Sequence, residues 1–238
     1  SGRLRTAIVV GLGTVGSATA MELARRGVRV IGLDAADPPH TIGSHHGRSR
    51  GIRRAYMEGT AYVPMVQRAW ELFRKLEADA GVSLLRSIGN LTIGPPDGTA
   101  VSGFLRSAET YDIAHELLTA SEVRRRWPAL VCPDEFVAGL ETEAGILDPE
   151  RAVEVMLAEA ASAGADVRSG DPVSAVGCDG CGDVVAAASG RFSADGAVVD
   201  RGFLDRAYFV EAALGEAGGA NMLAHKPGET RHGAHQLQ

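Results

Sequence analysis

The sequence predicts an α/β fold built on a βαβ dinucleotide-binding unit, and three observations predict it. A buried apolar run, Ala7-Ile8-Val9-Val10, leads directly into the glycine loop Gly11-Leu12-Gly13-Thr14-Val15-Gly16. An amphipathic helical stretch from Thr14 to Arg26 leads out of it and is stopped by Gly27. A second strand-like run, Val28 to Leu33, then ends at Asp34. Strand, loop, helix, strand and acid in this order make a complete fingerprint rather than an isolated glycine triplet.

Each position has its own physical reason. Gly11 makes the tight turn, Gly13 lets the backbone approach a pyrophosphate, and Gly16 lets helix and strand pack closely. The helix start, Thr14 and Val15 included, presents free N–H groups and a positive dipole end to the phosphates. Asp34 stands where an acidic side chain accepts hydrogen bonds from the adenosine ribose hydroxyls. Taken alone, the fingerprint fits NAD or FAD equally well.

Composition bounds the remaining possibilities. At 238 residues the chain has room for one large domain or two small ones. Its 45% hydrophobic and 23% charged content is that of a globular protein, and with only 5% aromatics the core must rest on Val, Leu, Ile and Ala. A net charge of −6 argues against a nucleic-acid partner, which would need a basic face. No apolar run approaches the roughly 20 residues of a membrane span. The first strand starts too early for a signal peptide to precede it, so the expected location is cytoplasmic. Cys132, Cys178 and Cys181 form no disulfide framework. Cys178-Asp179-Gly180-Cys181 lies between the strand-like runs Val173 to Val176 and Val184 to Ala188 and reads as a hairpin turn; no metal site is expected.

Along the chain, Asp34 to Arg54 is a long polar connection rich in His and Arg, the kind of loop that carries function on an α/β scaffold. A helix is expected from Val63 to Ala80, with Met65, Trp70, Leu72, Phe73 and Leu76 on its apolar face. Ile88 to Gly94 reads as a strand, Pro95 to Gly98 as a turn, and Val101 to Tyr111 and Ser121 to Trp127 as helices. Arg124-Arg125-Arg126 reads as a solvated helix face. Phe136 to Leu140 is a strand candidate. Asp148 and Pro149 supply an N-cap and first position for an apolar helix reaching Ala163. Gly164 to Arg168 reads as a strand returning to the first sheet, Val173 to Ala194 as a β-meander, and Gly196 to Val199 as a buried strand. Gly202 to Glu216 reads as an amphipathic helix, and the polar chain from Gly218 onward as disordered.

Asp34-Ala35-Ala36-Asp37-Pro38-Pro39-His40 and Gly43-Ser44-His45-His46-Gly47-Arg48-Ser49-Arg50-Gly51-Ile52-Arg53-Arg54 closely resemble the monomeric sarcosine oxidases, in the flavin amine-oxidase family that includes N-methyltryptophan and D-amino-acid oxidases. The resemblance continues through Arg126-Trp127-Pro128, Gly145 to Pro149 and the strand ending at Val199. It implies a Rossmann-like FAD-binding domain of the glutathione-reductase type with part of an α+β substrate domain. The expected division is 1–86 and 148–200 for the FAD-binding domain, 87–147 for the partial substrate domain, and 201–238 for a divergent helix and tail.

The implied activity is FAD-dependent oxidation of an N-methyl amino acid such as sarcosine, with hydride transfer to flavin and reoxidation by oxygen. By the same resemblance, Arg53 matches the arginine that pairs with the substrate carboxylate. A guanidinium suits that task, having permanent charge and a fork that matches two oxygens. His46 and Arg50 match residues beside the isoalloxazine ring, where positive charge stabilises the reduced flavin. Ala35 and Ser44 match residues along the adenosine and pyrophosphate path, and the Val173 backbone matches one that meets the adenine. His45 reads as a loop histidine rather than a participant.

Members of the family run well past Gln238. Their covalent flavin cysteine, oxygen-activating lysine, second carboxylate-binding base and closing loop have no match here. A truncation or frame change near residue 200 is the simplest explanation. His225, Lys226, His232 and His235 do not read as the closing loop. Unpaired sheet edges are then expected to lower solubility or to require a complementing chain. An inactive flavin-binding fragment and a nicotinamide-dependent dehydrogenase are the alternative readings.

Overall fold

The computed structural model describes residues 4–178 and 182–200. The readings placed on Asp179 to Cys181 and on the chain beyond Asp200 lie outside these residues.

The elements run β1 (Thr6–Val10), α1 (Thr14–Arg25), β2 (Arg29–Leu33), β3 (Arg50–Ile52), α2 (Val63–Ala80), β4 (Leu85–Ser87) and β5 (Asn90–Gly94). Next come α3 (Thr99–Thr110), β6 (His115–Thr119), α4 (Ala120–Arg126), β7 (Val137–Glu141) and β8 (Gly145–Leu147). The last are α5 (Pro149–Ser162), β9 (Asp166–Arg168), β10 (Val173–Cys178), β11 (Asp183–Ala187), β12 (Gly190–Ala194) and β13 (Gly196–Val199). They fall into two compact units. The described residues up to His46 join those from Val153 onward, and Gly47–Ala152 form the other. The sequence expectation instead puts the first boundary at residue 87.

In the first unit a parallel sheet has the order β13-β1-β2-β9. Alternation along β1 divides its side chains between the two faces. Ile8 and Val10 join Leu33, Val185, Ala194 and Ala197 in a core roofed by the antiparallel meander β10-β11-β12. On the opposite face α1 buries Ala20, Met21 and Ala24. Arg25 reaches Glu159 of α5 at 2.7 Å. As expected, α5 is apolar and buried, with Val153, Val155, Met156, Leu157 and Ala160 inside. Its N-cap is Asp148, whose Oδ1 accepts from Arg151 N at 3.0 Å.

The Gly47–Ala152 unit holds two antiparallel three-stranded sheets, β3-β8-β4 and β5-β7-β6. On the latter, Leu118, Ala120, Val123, Cys132, Ala138 and Leu140 form one core with α4. The Phe104 ring of α3 lies directly on β7 at Gly139, where a Cβ would stand 2.3 Å from the ring.

Among the departures from the sequence expectation, three have a visible physical reason. β6 is a strand that the sequence does not announce; it is an edge strand with Leu117 55% exposed, so its apolar residues do not alternate cleanly. β3 lies inside the stretch read as loop, and its pairing with β8 makes it extended. The expected apolar face of α2 is largely open: Met65 and Leu72 are exposed, and within that helix Val63 and Leu76 are buried.

The corner between β12 and β13 is tied to the start of β1 by Asp195, whose Oδ2 accepts from Arg5 N at 2.8 Å and Thr6 N at 2.9 Å. These two backbone donors, then the Thr6 side chain, outweigh desolvation and hold its carboxyl below the usual carboxylate range. A depressed folded-state pKa stabilises the fold above the unfolded value of about 3.9 and loses that contribution as pH falls through the folded value. Asp195→Asn is therefore expected to lower the melting temperature at pH 7 and to match the parent chain in acid. A gap of equal size at pH 7 and in strong acid would contradict the assignment.

Candidate functional site: a glycine loop and an arginine arm

The fingerprint occupies the turn between β1 and α1. Gly11 has φ +84°, and a Cβ there would stand 2.0 Å from the Asp200 carbonyl oxygen. At Gly16 a Cβ would stand 1.7 Å from the Gly11 carbonyl oxygen, so no side chain is compatible with a helix starting this close to its strand. Gly13 is the N-cap, in extended conformation, and α1 has neither a side-chain cap nor an acid in its first turn. The first N–H groups of the helix lack intrahelical acceptors, and Thr14 and Val15 beside them are exposed.

Asp34 ends β2 with its carboxylate buried, 7% exposed. Oδ2 accepts from Leu12 N at 2.7 Å, Oδ1 accepts from Ala36 N at 2.9 Å, and His40 Nε2 lies 3.4 Å from Oδ1. With about four lone-pair directions on a carboxylate, one remains for a ribose hydroxyl. Ala35, Ser44 and His46 are exposed on the connection that follows. That connection folds back on itself: the His40 N–H donates to His45 Nε2 at 3.3 Å, and the two rings lie 5.0 Å apart. His45 is only 2% exposed, and its Nδ1 stands 3.4 Å from where a Gly13 Cβ would be. The histidine read as a bystander is thus packed against the glycine loop. Val173 opens β10 opposite Ala187 and packs against the sheet core.

Sequence reasoning did not single out Asp200 as part of this site. Its N–H donates to Val10 O at 2.7 Å, and its carboxylate Oδ2 accepts from Gly16 N at 3.3 Å.

Arg50 and Arg53 belong to the Gly47–Ala152 unit. Arg50 is exposed on β3, with Nη1 donating to Ser49 O at 2.8 Å. After β3 the chain turns around Glu141, a fully buried carboxylate that accepts from Arg54 N at 3.0 and 3.1 Å and from Ala55 N at 3.0 Å. The Arg54 side chain spans Glu141, 3.4 Å from Nε, and Glu143. Two adjacent arginines therefore separate: Arg54 is consumed by structure and Arg53 is not. The Arg53 guanidinium lies 4.8 Å from the Tyr56 ring centroid, and its Nη2 donates to Glu58 Oε1 at 2.6 Å. Its Nε is buried with no hydrogen-bond partner among the described residues. Desolvation pushes the Glu58 carboxyl up, but the Arg53 hydrogen bond, a backbone N–H and the Arg53 charge outweigh it and hold it below its usual range.

Glu141 is the second residue that sequence reasoning missed. The available sign was an acid closing an otherwise apolar strand, Val137–Glu141. Ser107 and Gly103 complete the support: Ser107 Oγ donates to Tyr56 O at 2.5 Å, and a Cβ at Gly103 would stand 2.3 Å from Met57 O.

Among the described residues, no helix is long and apolar enough to cross a membrane, and no group of three or more His, Cys, Asp or Glu is gathered to hold a metal ion.

A parallel sheet with a glycine loop, a helix on one face and a meander on the other defines a dinucleotide-binding protein of the flavoprotein kind. Residues 6–203 match the FAD dependent oxidoreductase (DAO) family, and the chain belongs to it. It is 37% identical over 195 residues to N-methyl-L-tryptophan oxidase of Yersinia pestis (strain Pestoides F), covering 82% of this chain and 53% of that protein. The chain spans about half the length of the curated relatives it matches. Among solved structures it is similar to NikD, an unusual amino acid oxidase essential for nikkomycin biosynthesis, in its open form. The TM-score is 0.74 at 27% identity, covering 83% of this chain and 52% of that one. Glycine oxidase from Geobacillus kaustophilus shares the fold, with TM-score 0.68 at 22% identity, covering 84% of this chain and 55% of the other.

The cofactor of this family fits the loop found here: each of the three glycines stands where a side chain would meet a neighbour, and Asp34 retains a free acceptor direction. Removing the Glu141 carboxylate strands two backbone N–H groups and takes from the Arg54 guanidinium one of its two carboxylate partners, so Glu141→Ala is expected to cost about 3–5 kcal/mol. Urea denaturation checks this; a loss under about 1 kcal/mol would show that water replaces the carboxylate.

Proposed function

We propose that the chain carries the FAD-binding site and part of the substrate site of an amino-acid oxidase acting on a secondary, N-methyl amino acid such as sarcosine. The observation that carries this reading is the Arg53 guanidinium. It is stacked on Tyr56, paired through Nη2 and left with an unpaired buried Nε. Nε and Nη2 form one edge of the guanidinium fork, and a carboxylate bound there takes both donors. Glu58 takes only one of them and is half-exposed, 51%, so it can leave.

In this reading the glycine loop and the first turn of α1 hold the diphosphate, with Gly11, Gly13, Thr14, Val15 and Gly16 supplying backbone. Asp34 accepts from the ribose, while Ala35, Ser44 and the Val173 backbone line the adenosine path. His46 and Arg50 serve the ring end of the cofactor with positive charge. Arg53 binds the amino acid by its carboxylate. When bound, FAD supplies the hydride acceptor and passes electrons on to oxygen. The protein's own contribution is orientation and electrostatics. Residues 1–86 and 148–200 would then serve the cofactor and 87–147 the substrate. A complementing polypeptide and a cytoplasmic location, where amino acids and oxygen are both at hand, belong to the same proposal.

The first test is the visible spectrum of the purified chain after incubation with FAD, followed by peroxide release on adding sarcosine or N-methyl-L-tryptophan. Flavin bands with peroxide support an oxidase, and flavin bands alone support a flavin-binding module. A chain that takes up no flavin sinks both. A second test concerns Arg53. Replacing a bidentate guanidinium with lysine forfeits one charge-assisted hydrogen bond, so Arg53→Lys is expected to raise KM by about 10- to 100-fold. Glu58→Gln, which removes the competing carboxylate, is expected to lower KM. Unchanged KM in both variants would remove Arg53 from the substrate site.

A further inference from the structure

We propose that His45 is a positioning residue for the cofactor, whose neutral imidazole holds Ser44 and His46 in place beside the glycine loop. His45 acts in this way only if that loop is the FAD site proposed above.

Ser44, His45 and His46 lie in one tight turn, closed by the His46 N–H donating to Gly43 O at 3.1 Å. Ser44 and His46 are exposed, and these are the two that the cofactor reading uses. His45 between them is 2% exposed. Its ring is wedged between two glycines. Nδ1 stands 3.4 Å from where a Gly13 Cβ would be and 2.6 Å from where a Gly43 Cβ would be. Gly43 therefore has no room for a side chain while the ring keeps its seat. The ring thus joins the His- and Arg-rich connection to the fingerprint, and the residues on either side of it follow its position.

One hydrogen bond fixes the protonation of the seated ring. Nε2 accepts from the His40 N–H at 3.3 Å, so Nε2 is bare and the proton of the neutral ring is on Nδ1. An imidazolium carries a second N–H at Nε2, which would meet the His40 N–H donor to donor. Protonation therefore removes the bond that seats the ring and puts a charge where almost no water reaches. Charged and titratable groups surround the seat. The His40 ring lies 5.0 Å away, with its Nε2 3.4 Å from Asp34 Oδ1. Asp200 Oδ2 stands 3.9 Å from the same Gly13 Cβ position. The two carboxylates draw a proton toward the seat, and the atom that must take it is the one whose bond it breaks. FAD affinity is accordingly full above the histidine range and falls as pH drops through it. The exposed His46 acts with the opposite sign, because its protonation adds positive charge beside an anionic cofactor.

The experiment is fluorescence titration of the full chain with FAD at pH 7.5 and pH 5.5, repeated on His45→Gln and His45→Phe. Glutamine offers an acceptor oxygen for the His40 N–H and does not titrate, whereas phenylalanine keeps the ring volume without an acceptor. In the unmodified chain, Kd is expected to rise about fivefold between the two pH values. His45→Gln is expected to bind within about threefold of the parent at pH 7.5 and to show no acid weakening, while His45→Phe binds about tenfold more weakly at both. The comparison in the unmodified chain requires no variant to fold, and thermal melts at each pH establish that every protein is folded. Affinity that is flat or tightens on acidification of the unmodified chain would overturn the proposal. So would acid weakening that persists in His45→Gln, or parental affinity in His45→Phe at pH 7.5. Failure of all three proteins to take up FAD would overturn the cofactor reading and this proposal with it, whereas uptake without the expected pH dependence overturns this proposal alone.

Discussion

The close approach of α1 to β1 is the constraint on which the nucleotide-binding unit depends. A gap of 1.7 Å between the Gly11 carbonyl oxygen and a would-be Gly16 Cβ leaves no room for any side chain. Gly11 must also turn through positive φ for the helix to begin where it does. Once that approach is made, the first N–H groups of α1 are held at the ends of the parallel strands. Crevices outside the carboxyl ends of such strands bind ligands, because no strand or helix consumes the donors there. β13 completes the arrangement on the other side of β1, which brings Asp200 to the same place.

Acidic side chains that bind backbone N–H groups recur through both units. Asp34 holds Leu12 and Ala36, Asp195 holds Arg5 and Thr6, Glu77 holds Leu84 and Leu85, and Glu141 holds Arg54 and Ala55. Each joins an element end to a loop that has no ladder of its own, and each turns an otherwise unsatisfied donor into a charge-assisted bond. The excess of acids over bases in the chain thus does internal structural service and is not simply a surface field. Glu141 is the extreme case, fully buried and made tolerable by the donors around it.

Much of the nucleotide unit was legible in the sequence because its elements follow local rules. Ala7 to Val10 is an apolar run that leads into glycine, α1 starts at Thr14 as its pattern indicates, and Asp148-Pro149 caps α5 where an N-cap and a first-position proline should. The meander and the returning strands β9 and β13 were legible for the same reason. The Gly47–Ala152 unit was less so. β3 and β8 are three residues each and are extended by their pairing, while β6 exposes an apolar residue that a regular alternation would bury. The site residues show the same split. The glycines and Asp34 announce themselves by spacing, whereas His45, Glu141 and Asp200 matter through neighbours distant in sequence.

What the sequence by itself determined is the set of local conformations: which residues can turn, cap, alternate or approach closely. Those properties belong to single residues and short spacings, so the βαβ unit, its loop and its family could be read directly. The partner of each charge was decided only by the tertiary structure. Arg53 and Arg54 are adjacent and chemically identical, yet Arg54 is spent on Glu141 and Glu143 while Arg53 keeps an unpaired Nε. The residue after Val199 reads as an ordinary aspartate until β13 pairs with β1 and carries its carboxylate to Gly16. Electrostatic roles depend on distance in space, and only the folded chain sets those distances.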